Sequence, residues 1–487
     1  MDHAISTVTS TGHSMRLYFS SDASYQTAGL NLTVTLIPIT YTVSFNANGG
    51  TGDAMAAQNY TYDTAQTLTA NTYTRTGYTF AGWATTADGE KAYDDQQSVS
   101  NLATTQGANV ELFAKWKKLL TNGDITIADI SSQEYTGSAI EPTVTVSDGS
   151  TDITDQCDFS YSDNTNTGTA TVTITAKATS TAYSGTTSTT FTITPKPVTV
   201  KNSSDEDVPA ATGDATITQD ENGITLTLIT PTGTDAPQTV SIPTAVEVDH
   251  VTIQRTYVSG KASTVYLPFS IEVSKLSGGT FHTFTNVDQT TSPWTVNYSV
   301  ALASTATLEA NTPYLFLPDG TNGGKIVVNN GSDKVSVCTA NPQTTTQGQW
   351  EFIGTYEPIV WAAEHADLGK VYGFAAIDKE VEGKNITAGQ FVKAVAGASI
   401  APMRAYLKYT PPSAAPARGT SRVSATDELP ATMRVVIAGA NGETTEVGTI
   451  GIEQYSGEWY TIDGRKLSGA PTKKGLYIHN GRKNVIK

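Results

Sequence analysis

The sequence is built from short runs in which apolar residues alternate with threonine, and each run stops at Gly, Asn, Asp or Pro. Residues 168–174 (GTATVTI) show this pattern clearly, and threonine makes up roughly one residue in six of the chain. β-Branched residues on a two-residue period suit a pleated sheet with one buried face, and the small residues between runs allow tight turns. The pattern predicts an all-β fold. At roughly 100–200 residues per domain, the 487 residues predict three or more domains.

The charge and the cysteine content exclude several classes of protein. The chain carries 46 acidic and 30 basic residues, a formal net charge of −16. Nucleic acid is not expected as a partner, because phosphate binding needs clustered Lys and Arg. Two cysteines cannot build a disulfide scaffold or a cysteine-ligated zinc site. No apolar run approaches the roughly 18–20 residues that span a bilayer, so no transmembrane segment is predicted.

Residues 41–118 form a self-contained unit with three motifs in a fixed order. An alternating strand leads into the turn sequence Asn48-Gly49-Gly50, the segment 77–83 (GYTFAGW) follows, and 112–116 (LFAKW) closes the unit. This order resembles the Listeria–Bacteroides repeat, also called the InlB B-repeat. The resemblance implies a small β-grasp-like module of the kind found in bacterial surface proteins. We expect its best helix over Asp94–Gln106.

The rings of this unit allow two interpretations. Tyr78, Phe80, Trp83 and Trp116 could stack on sugars, or they could pack inside the module. A module of this size needs the large apolar area that such rings bury. The rings also occupy the framework positions of the repeat that the unit resembles, and we therefore expect them in its core.

The first 40 residues resemble the end of a larger extracellular domain. Met1–Leu17 has no apolar segment of roughly 7–15 residues, so it is not a signal peptide. The strands expected in Ser14–Asp22 and Gly29–Val34 resemble the last two strands of a CUB domain, an extracellular β-sandwich. The resemblance implies a truncated chain. It also places Asp22 where calcium-binding members have a ligand, but the other ligands would lie upstream, so no metal site is predicted.

Residues 119–197 form a second unit of regularly spaced short strands, which is typical of a sandwich. The unit is similar to bacterial immunoglobulin-like modules of the MBG type. Four aspartates crowd one of its loops. Their spacing does not fit the calcium loop of an EF-hand, and we expect a solvated acidic loop. These residues are Asp148, Asp152, Asp155 and Asp158.

Residues 198–410 form the largest block. It begins with a predicted hairpin whose turn is Asp220-Glu221-Asn222-Gly223, with Ile217, Ile224, Leu226 and Leu228 facing the core. Beyond residue 251, near-continuous apolar runs bounded by Pro and Gly suit strands that are buried on both faces. This block is similar to a β-domain common in secreted proteins of Bacteroides and Prevotella relatives, a β-sandwich without an assigned molecular activity.

Residues 411–431 are rich in Pro, Ala and Ser and predict a flexible linker. Residues 432–487 follow as a predicted β tail with a DGR turn, a KGLYI strand and a basic end. This tail resembles the type IX secretion sorting signals of Bacteroidota. The resemblance implies export and possible envelope attachment through the tail; a plain folded end with lysine-protected strand edges is the alternative.

No catalytic constellation is recognisable in the sequence. The six histidines include no pair with the spacing of a zinc-protease helix, and Cys157 and Cys338 lie far apart outside any low-pKa signature. Lys261 lacks the glycine and the hydroxyl of a phosphate loop, and Ser399 lacks the second glycine of a nucleophile elbow. We therefore expect no enzyme activity, no cofactor and no metal.

The sequence thus predicts a multi-domain string of β-sandwich or Ig-like modules with one small β-grasp-like repeat. We expect a secreted or cell-surface, structural or adhesive protein that binds a host or matrix protein or a glycan. One alternative is the accessory C-terminal region of a larger secreted hydrolase or protease. Another is a carbohydrate-binding surface protein, for which the candidate binding residues are Tyr266, Trp294, Trp350 and Trp361.

Overall fold

The computed structural model describes residues 35, 37–231, 236–381, 384–411, 429–439, 444–447, 459–461, 467, 471, 474–479 and 482–486. These residues form strands, turns and three single-turn 3₁₀ helices, and they contain no α-helix. The all-β prediction is therefore confirmed. In the part of the chain described, no helix has the length and apolar character needed to cross a bilayer. The 3₁₀ helices are Thr154–Gln156, Val273–Lys275 and Asn322–Gly324.

Some of the sequence predictions concern residues outside the described ranges. The CUB-like strands expected between residues 14 and 34, with Asp22, lie outside the described residues, and so do positions 412–428 of the expected linker. The described chain divides into two compact units. The first holds the described residues up to Thr126, with Val146–Asp158 and Ile174–Thr187. The second holds Ile127–Thr145, Phe159–Thr173 and the described residues from Ser188 onward.

The repeat in the first unit is a mixed sheet. Its strands are β1 (Thr40–Asn46), β2 (Gln58–Thr61), β3 (Gln66–Thr67), β4 (Tyr78–Ala84), β5 (Lys91–Tyr93), β6 (Ser98–Val99) and β7 (Asn109–Leu119). The sheet order is β2-β1-β7-β4-β5, and β3 pairs separately with β6. β1 and β7 run parallel, whereas β4 runs antiparallel to β7. The long strand β7 is therefore the central strand of the repeat.

The core of the repeat is aromatic, as the sequence predicts. Trp83 is fully buried and packs against Phe45 with ring centroids 4.7 Å apart, while Phe80 meets Trp116 at 5.6 Å. The Trp116 Nε1–H donates to the Ala47 carbonyl at 3.0 Å, so this ring also holds the turn after β1. Tyr78 and Phe80 are partly buried against the same cluster. The prediction of internal rings is confirmed for these residues.

The helix expected over Asp94–Gln106 is wrong, because this segment forms turns and the short strand β6. Gln96 and Asn101 both have positive φ values, 54° and 57°, which a right-handed helix does not accept. The Asn101 side chain instead bonds to Asp63: its amide donates to the carboxylate at 2.8 Å, and its carbonyl oxygen accepts from the Asp63 N–H at 2.6 Å. Long-range hydrogen bonds thus override the local preference.

The next strands are β8 (Ile125–Ile127), β9 (Gln133–Glu134), β10 (Val146–Asp148), β11 (Thr151–Asp152), β12 (Cys157–Ser162), β13 (Gly168–Ala176), β14 (Tyr183–Ser184) and β15 (Thr186–Thr194). They form sheets of order β11-β10-β8 and β12-β13-β15-β9. Val172, Ile174, Phe191 and Ile193 are buried and alternate with threonine along β13 and β15. The period-two pattern of this stretch therefore separates a core face from a more accessible face.

The predicted hairpin opens the larger part of the second unit. It consists of β19 and β20, with Asp220 opposite Gly223 at the turn, and Ile217, Leu226 and Leu228 are buried. This prediction is confirmed.

The strands between residues 196 and 337 are β16 (Lys196–Pro197), β17 (Thr199–Lys201), β18 (Asp207–Pro209), β19 (Ala215–Asp220), β20 (Gly223–Leu228), β21 (Val246–Val248), β22 (His250–Ile253), β23 (Ser263–Tyr266), β24 (Ile271–Glu272), β25 (Leu276–Ser277), β26 (Gly279–His282), β27 (Phe284–Asp288), β28 (Thr295–Tyr298), β29 (Thr307–Leu308), β30 (Pro313–Pro318), β31 (Val327–Val328) and β32 (Val335–Val337).

The remaining strands belong in part to a nine-stranded, nearly closed barrel-like sheet and in part to three smaller sheets of the described chain. They are β33 (Thr344–Gln347), β34 (Trp350–Thr355), β35 (Ile359–Trp361), β36 (Val371–Ala375), β37 (Lys379–Val381), β38 (Lys384–Ile386), β39 (Gln390–Lys393), β40 (Ala398–Ile400), β41 (Arg404–Tyr409), β42 (Thr432–Ala438), β43 (Thr444–Val447), β44 (Trp459–Thr461), β45 (Gly475–His479) and β46 (Arg482–Ile486). The order of the large sheet is β27-β28-β42-β39-β36-β41-β34-β33, with β43 beside β42. The sheet thus includes β42 and β43, which lie beyond the predicted linker.

Two apolar cores meet at β30. Tyr314 and Phe316 pack in one core, and Leu315 packs in the other, which fills the barrel-like sheet. Because successive residues of a strand point to opposite faces, each face of β30 serves a different core. This explains why its apolar run is nearly continuous, as expected for a strand buried on both faces.

Candidate functional site

The four ring residues named as binding candidates occupy different places in the second unit. Tyr266 is fully buried, and Trp350 and Trp361 are each 2% exposed. Trp294 is partly buried. A ring that presents no face to solvent cannot stack on a sugar, so burial gives no support to carbohydrate binding at three of the four positions. Binding at these residues stays a prediction.

Each buried ring has an internal role. The Tyr266 ring lies 4.6 Å from that of Tyr356, and Trp361 meets Tyr406 at 5.3 Å. Trp350 packs against Tyr409 at 5.2 Å, and Trp294 approaches Trp350 edge-on at 6.5 Å. The candidates therefore belong to three separate clusters of core rings, and only Trp294 and Trp350 lie together.

A polar cavity of about 260 Å³ lies elsewhere in the second unit. Strand β23 supplies two adjacent hydroxyls, Ser263 and Thr264, and β36 supplies an apolar wall with Phe374. The opposite lining comes from β40 and from the start of β41, where Arg404 contributes its guanidinium. Ser263 and Thr264 are buried, whereas Ser399 at the lining's edge is exposed.

Arg255 supports the cavity from behind the two hydroxyl residues. Its Nη1–H donates to the Thr264 carbonyl at 2.9 Å and to the Met403 carbonyl at 3.2 Å. Its Nη2–H donates to Ser263 Oγ at 2.6 Å, and its guanidinium carbon lies 4.5 Å from the centre of the Tyr257 ring. The Arg255 side chain is therefore fixed in a buried position by both sides of the cavity wall.

The second arginine, Arg404, lacks such partners. Its Nε is buried and has no hydrogen-bond partner among the residues that the structure describes. The positive charge of Arg255, followed by burial, lowers the pKa of Arg404 to about 10. Two like charges in a poorly solvated place disfavour the charged state of each other. The cavity wall therefore carries an excess of positive charge.

The backbone beside Arg404 has an unusual conformation. Met403 has a φ of 59°, a value that costs a non-glycine residue of order 1 kcal/mol. The Met403 N–H donates to the Thr355 carbonyl at 2.7 Å, and its own carbonyl accepts from Arg255. These two bonds hold the chain in this conformation immediately before the cavity residue.

The hydroxyls of the cavity have protons available for donation. Ser263 Oγ accepts from Arg255, and Thr264 Oγ1 accepts from the Ala405 N–H at 3.0 Å. Within the described part of the chain, neither hydroxyl donates to a protein acceptor. Two O–H groups and the Nε–H of Arg404 are thus donors without assigned acceptors.

Neither arginine was expected from the sequence to belong to a site, although the position of Arg255 in its stretch indicates one. Val251, Ile253 and Tyr257 are buried, and Arg255 occupies the same inward phase of this alternating stretch. A charged residue on the apolar phase of a strand indicates a buried partner or a site. Arg404 has no such signal, because it lies on the less buried phase of β41.

A second polar cluster lies in the first unit, where β7 leaves the repeat. Lys118 Nζ donates to Asp148 at 2.6 Å and to Asp124 at 2.9 Å, and these two carboxylates raise the pKa of Lys118. Asp148 also accepts from the Tyr183 hydroxyl at 3.2 Å. Asp152, Asp155 and Asp158 are exposed as expected for an acidic loop, but Asp148 is half-buried and paired.

The same place contains a backbone ladder. Tyr183 and Ser184 of β14 pair in parallel with Lys118 and Leu119 at the end of β7. The Lys118 N–H donates to the Ala182 carbonyl at 2.7 Å, and the hydroxyls of Thr79 and Ser184 lie 2.6 Å apart. The ladder and the Lys118 cluster together join the repeat to the segment that follows it within the first unit.

Two further titratable side chains, His282 and Cys157, are buried inside the protein. His282 is buried between the Ser299 carbonyl, 3.0 Å from Nδ1, and the Thr280 hydroxyl, 2.9 Å from Nε2, and burial lowers its pKa. Cys157 is buried, which raises the pKa of its thiol. Within the described ranges, no three His, Cys, Asp or Glu side chains come together in a way that could hold a metal ion.

One stretch of this chain matches a known family model. No curated protein matches this chain. The resemblance drawn from the NGG, GYTFAGW and AKW motifs is supported: residues 41–115 match the Listeria-Bacteroides repeat domain, which is found in surface and secreted proteins.

Proposed function

We propose that this chain is a secreted or cell-surface modular protein with a structural and ligand-displaying role and without catalytic activity of its own. The match of residues 41–115 to a repeat of surface and secreted proteins supports the location. The all-β architecture supports the structural role. Its strands bury the large aromatic rings in cores, where the rings stabilise the modules and are not available as a binding face.

The observation that carries the proposal is the junction at the end of the repeat. A flexible tether would leave residues 117–124 without partners, but here β7 pairs with β14, and Lys118 binds two carboxylates. Hydrogen bonds from a charged group are stronger than those between neutral groups and fix direction as well as distance. The junction therefore holds the repeat firmly against its neighbouring segment, as a spacer or display element requires.

Under this proposal the displayed surface binds a host or matrix protein or a glycan, and the tail at 432–487 directs export or envelope attachment. The acidic net charge of −16 favours partners other than nucleic acid and other polyanions. The CUB-like and MBG-like resemblances agree with an extracellular setting, because both belong to extracellular modules.

The location can be tested in the cell that makes the protein. Antibodies raised against the full chain should label intact cells or appear in the culture medium, while a cytoplasmic enzyme stays unlabelled until the cells are permeabilised. Labelling that appears only after permeabilisation would contradict the proposal.

The display role can be tested by presenting the purified full chain to immobilised matrix proteins, mucin and a glycan panel. Saturable binding that is retained when the repeat is destabilised would assign the ligand to a part of the chain outside the repeat. Binding that is lost with the repeat would assign it to the first unit. Turnover of any panel member would refute the absence of catalytic activity.

A further inference from the structure

The cavity of the second unit contains positive charge without a matching negative charge. Arg255 is 6% exposed, and the influences on the pKa of Arg404 are Arg255, burial and Tyr257, with no carboxylate among them. Neither arginine forms an ion pair with any carboxylate of the described chain. Buried charges in proteins are normally paired, because burial without a counter-charge disfavours the charged state. An anion would supply the charge that this pair of cations lacks among the described residues.

The remaining polar groups of the wall suit the same occupant. Arg404 Nε–H, the Ser263 hydroxyl and the Thr264 hydroxyl can all donate a hydrogen bond, and their acceptors are unassigned within the described residues. The oxygens of a carboxylate, sulfate or phosphate accept several hydrogen bonds at once, and a guanidinium can hold two of them side by side. A cation would be repelled by the guanidinium of Arg404.

The size of the cavity and the overall charge limit the occupant. A volume of about 260 Å³ lies just below the range of roughly 300–1,000 Å³ typical of pockets for drug-sized ligands. The net charge of −16 repels a polyanion, whereas the two arginines attract one anionic group that enters the cavity. Phe374 and Ile400 give an apolar wall for a small organic frame.

We propose that this cavity binds a small molecule through one oxyanion group, held by Arg404 and by the Ser263 hydroxyl, with Arg255 as the positioning residue behind them and Thr264 as part of the wall. The proposal is independent of the surface location and of the display role, since it concerns only the second unit.

The test uses the purified full chain and three probes: sodium acetate, sodium glucuronate and sodium sulfate. Titration calorimetry at neutral pH and constant ionic strength measures the affinity, and thermal unfolding at rising probe concentration measures the shift in melting temperature. A ligand that binds only the folded state raises the melting temperature with its concentration. At least one probe should bind saturably to the wild-type chain, and Arg404→Gln should weaken that binding by about 10–100-fold.

The control is Lys408→Gln, because Lys408 lies on the same strand and pairs with Asp367 at 3.0 Å outside the cavity. It removes one positive charge as well, so it should keep the probe affinity of the wild-type chain. Sulfate also stabilises proteins without binding a site, and this effect should be equal in all variants.

A second measurement separates a binding role from a structural one. Without probe, the Arg404→Gln chain should melt at the same temperature as the wild-type chain or at a higher one, because the substitution removes a cation that Arg255 repels. A lower melting temperature without any change in probe affinity would make Arg404 a structural residue and overturn the proposal. Equal affinity for acetate and glucuronate would identify the occupant of the cavity as a free anion, and tighter binding of glucuronate would identify it as an acidic sugar. No saturable binding of any of the three probes overturns the proposal.

Discussion

The repeat and the second unit both bury tryptophan, but the residues that meet inside them lie at different distances along the chain. In the repeat, the rings of Phe45, Phe80, Trp83 and Trp116 come from one stretch of fewer than 80 residues and from three recognisable motifs. In the second unit, Arg255 meets the carbonyl of Met403 across 148 positions. The core of the repeat consists of uncharged side chains and is encoded by local motifs, whereas the second unit contains buried charge that only long-range pairing brings together.

The largest expected effect tests the apolar side of this comparison. Trp83→Ala in the repeat should cost about 3–5 kcal/mol, because it removes a fully buried ring from the smaller core. Trp83 Nε1 has no hydrogen-bond partner in the described chain, so the control Trp83→Phe loses no hydrogen bond and should cost clearly less. Hydrogen exchange of the amides in residues 40–119 measures the loss of stability in both variants. Equal protection in the two variants would show that the ring is not central to this core.

The second prediction concerns packing in the larger unit. A Cβ at Gly354 would overlap the ring of Tyr266. Gly354→Ala should therefore cost about 1–3 kcal/mol through overpacking. Gly123→Ala is the control, because a Cβ there meets no atom within 4 Å. Chemical denaturation that places Gly354→Ala within 0.5 kcal/mol (about the scatter of surface substitutions) of the control would contradict this packing.

The third prediction sharpens the comparison at the polar junction of the repeat. Lys118→Met should cost about 1–2 kcal/mol, since it leaves half-buried Asp148 without its cation. Lys91→Met removes the exposed pair with Asp94 and should cost less than about 1 kcal/mol. The readout is exchange of the Leu120 N–H, which donates to the Ser184 carbonyl. Faster exchange in the Lys118 variant alone is the expected result.

The smallest effect is a pH dependence. Burial lowers the pKa of His282 in the folded protein below its unfolded value of about 6.5. Below that value the unfolded chain binds the proton and the folded chain does not, so the free energy of unfolding falls as the pH falls, by at most about 1.4 kcal/mol per pH unit. His282→Gln should flatten this slope between neutral and mildly acidic pH. His250→Gln, at an exposed position, should leave it unchanged.

The sequence predicts the repeat well because its determinants are local. The NGG turn requires positive φ at Asn48 and Gly49, which these residues adopt, and the rings of one motif pack against those of the next. The hairpin at 215–228 follows equally from a turn and an alternating pattern. The helix expected at 94–106 failed where a distant residue, Asp63, supplies the hydrogen bonds that fix Asn101.

The candidate cavity could not be found in the same way. Its wall combines β23, β36, β40 and β41, and no local pattern shows that Ser263 and Arg404 become neighbours. The ring residues were attractive in the sequence because aromatic side chains are frequent at binding sites, but the same side chains dominate cores. Burial, which follows from the complete sheet order, distinguishes the two roles for Tyr266, Trp350 and Trp361.

The parallel pairing of β1 with β7 has a mechanical consequence. The chain enters the repeat at the start of β1 and leaves it at the end of β7, and these points lie at opposite ends of the paired stretch. A pulling force on the two ends therefore acts along the strands in opposite directions and loads the inter-strand hydrogen bonds in shear, so that they must break together instead of unzipping one by one. Under tension the repeat resists extension more than a hairpin of equal length does.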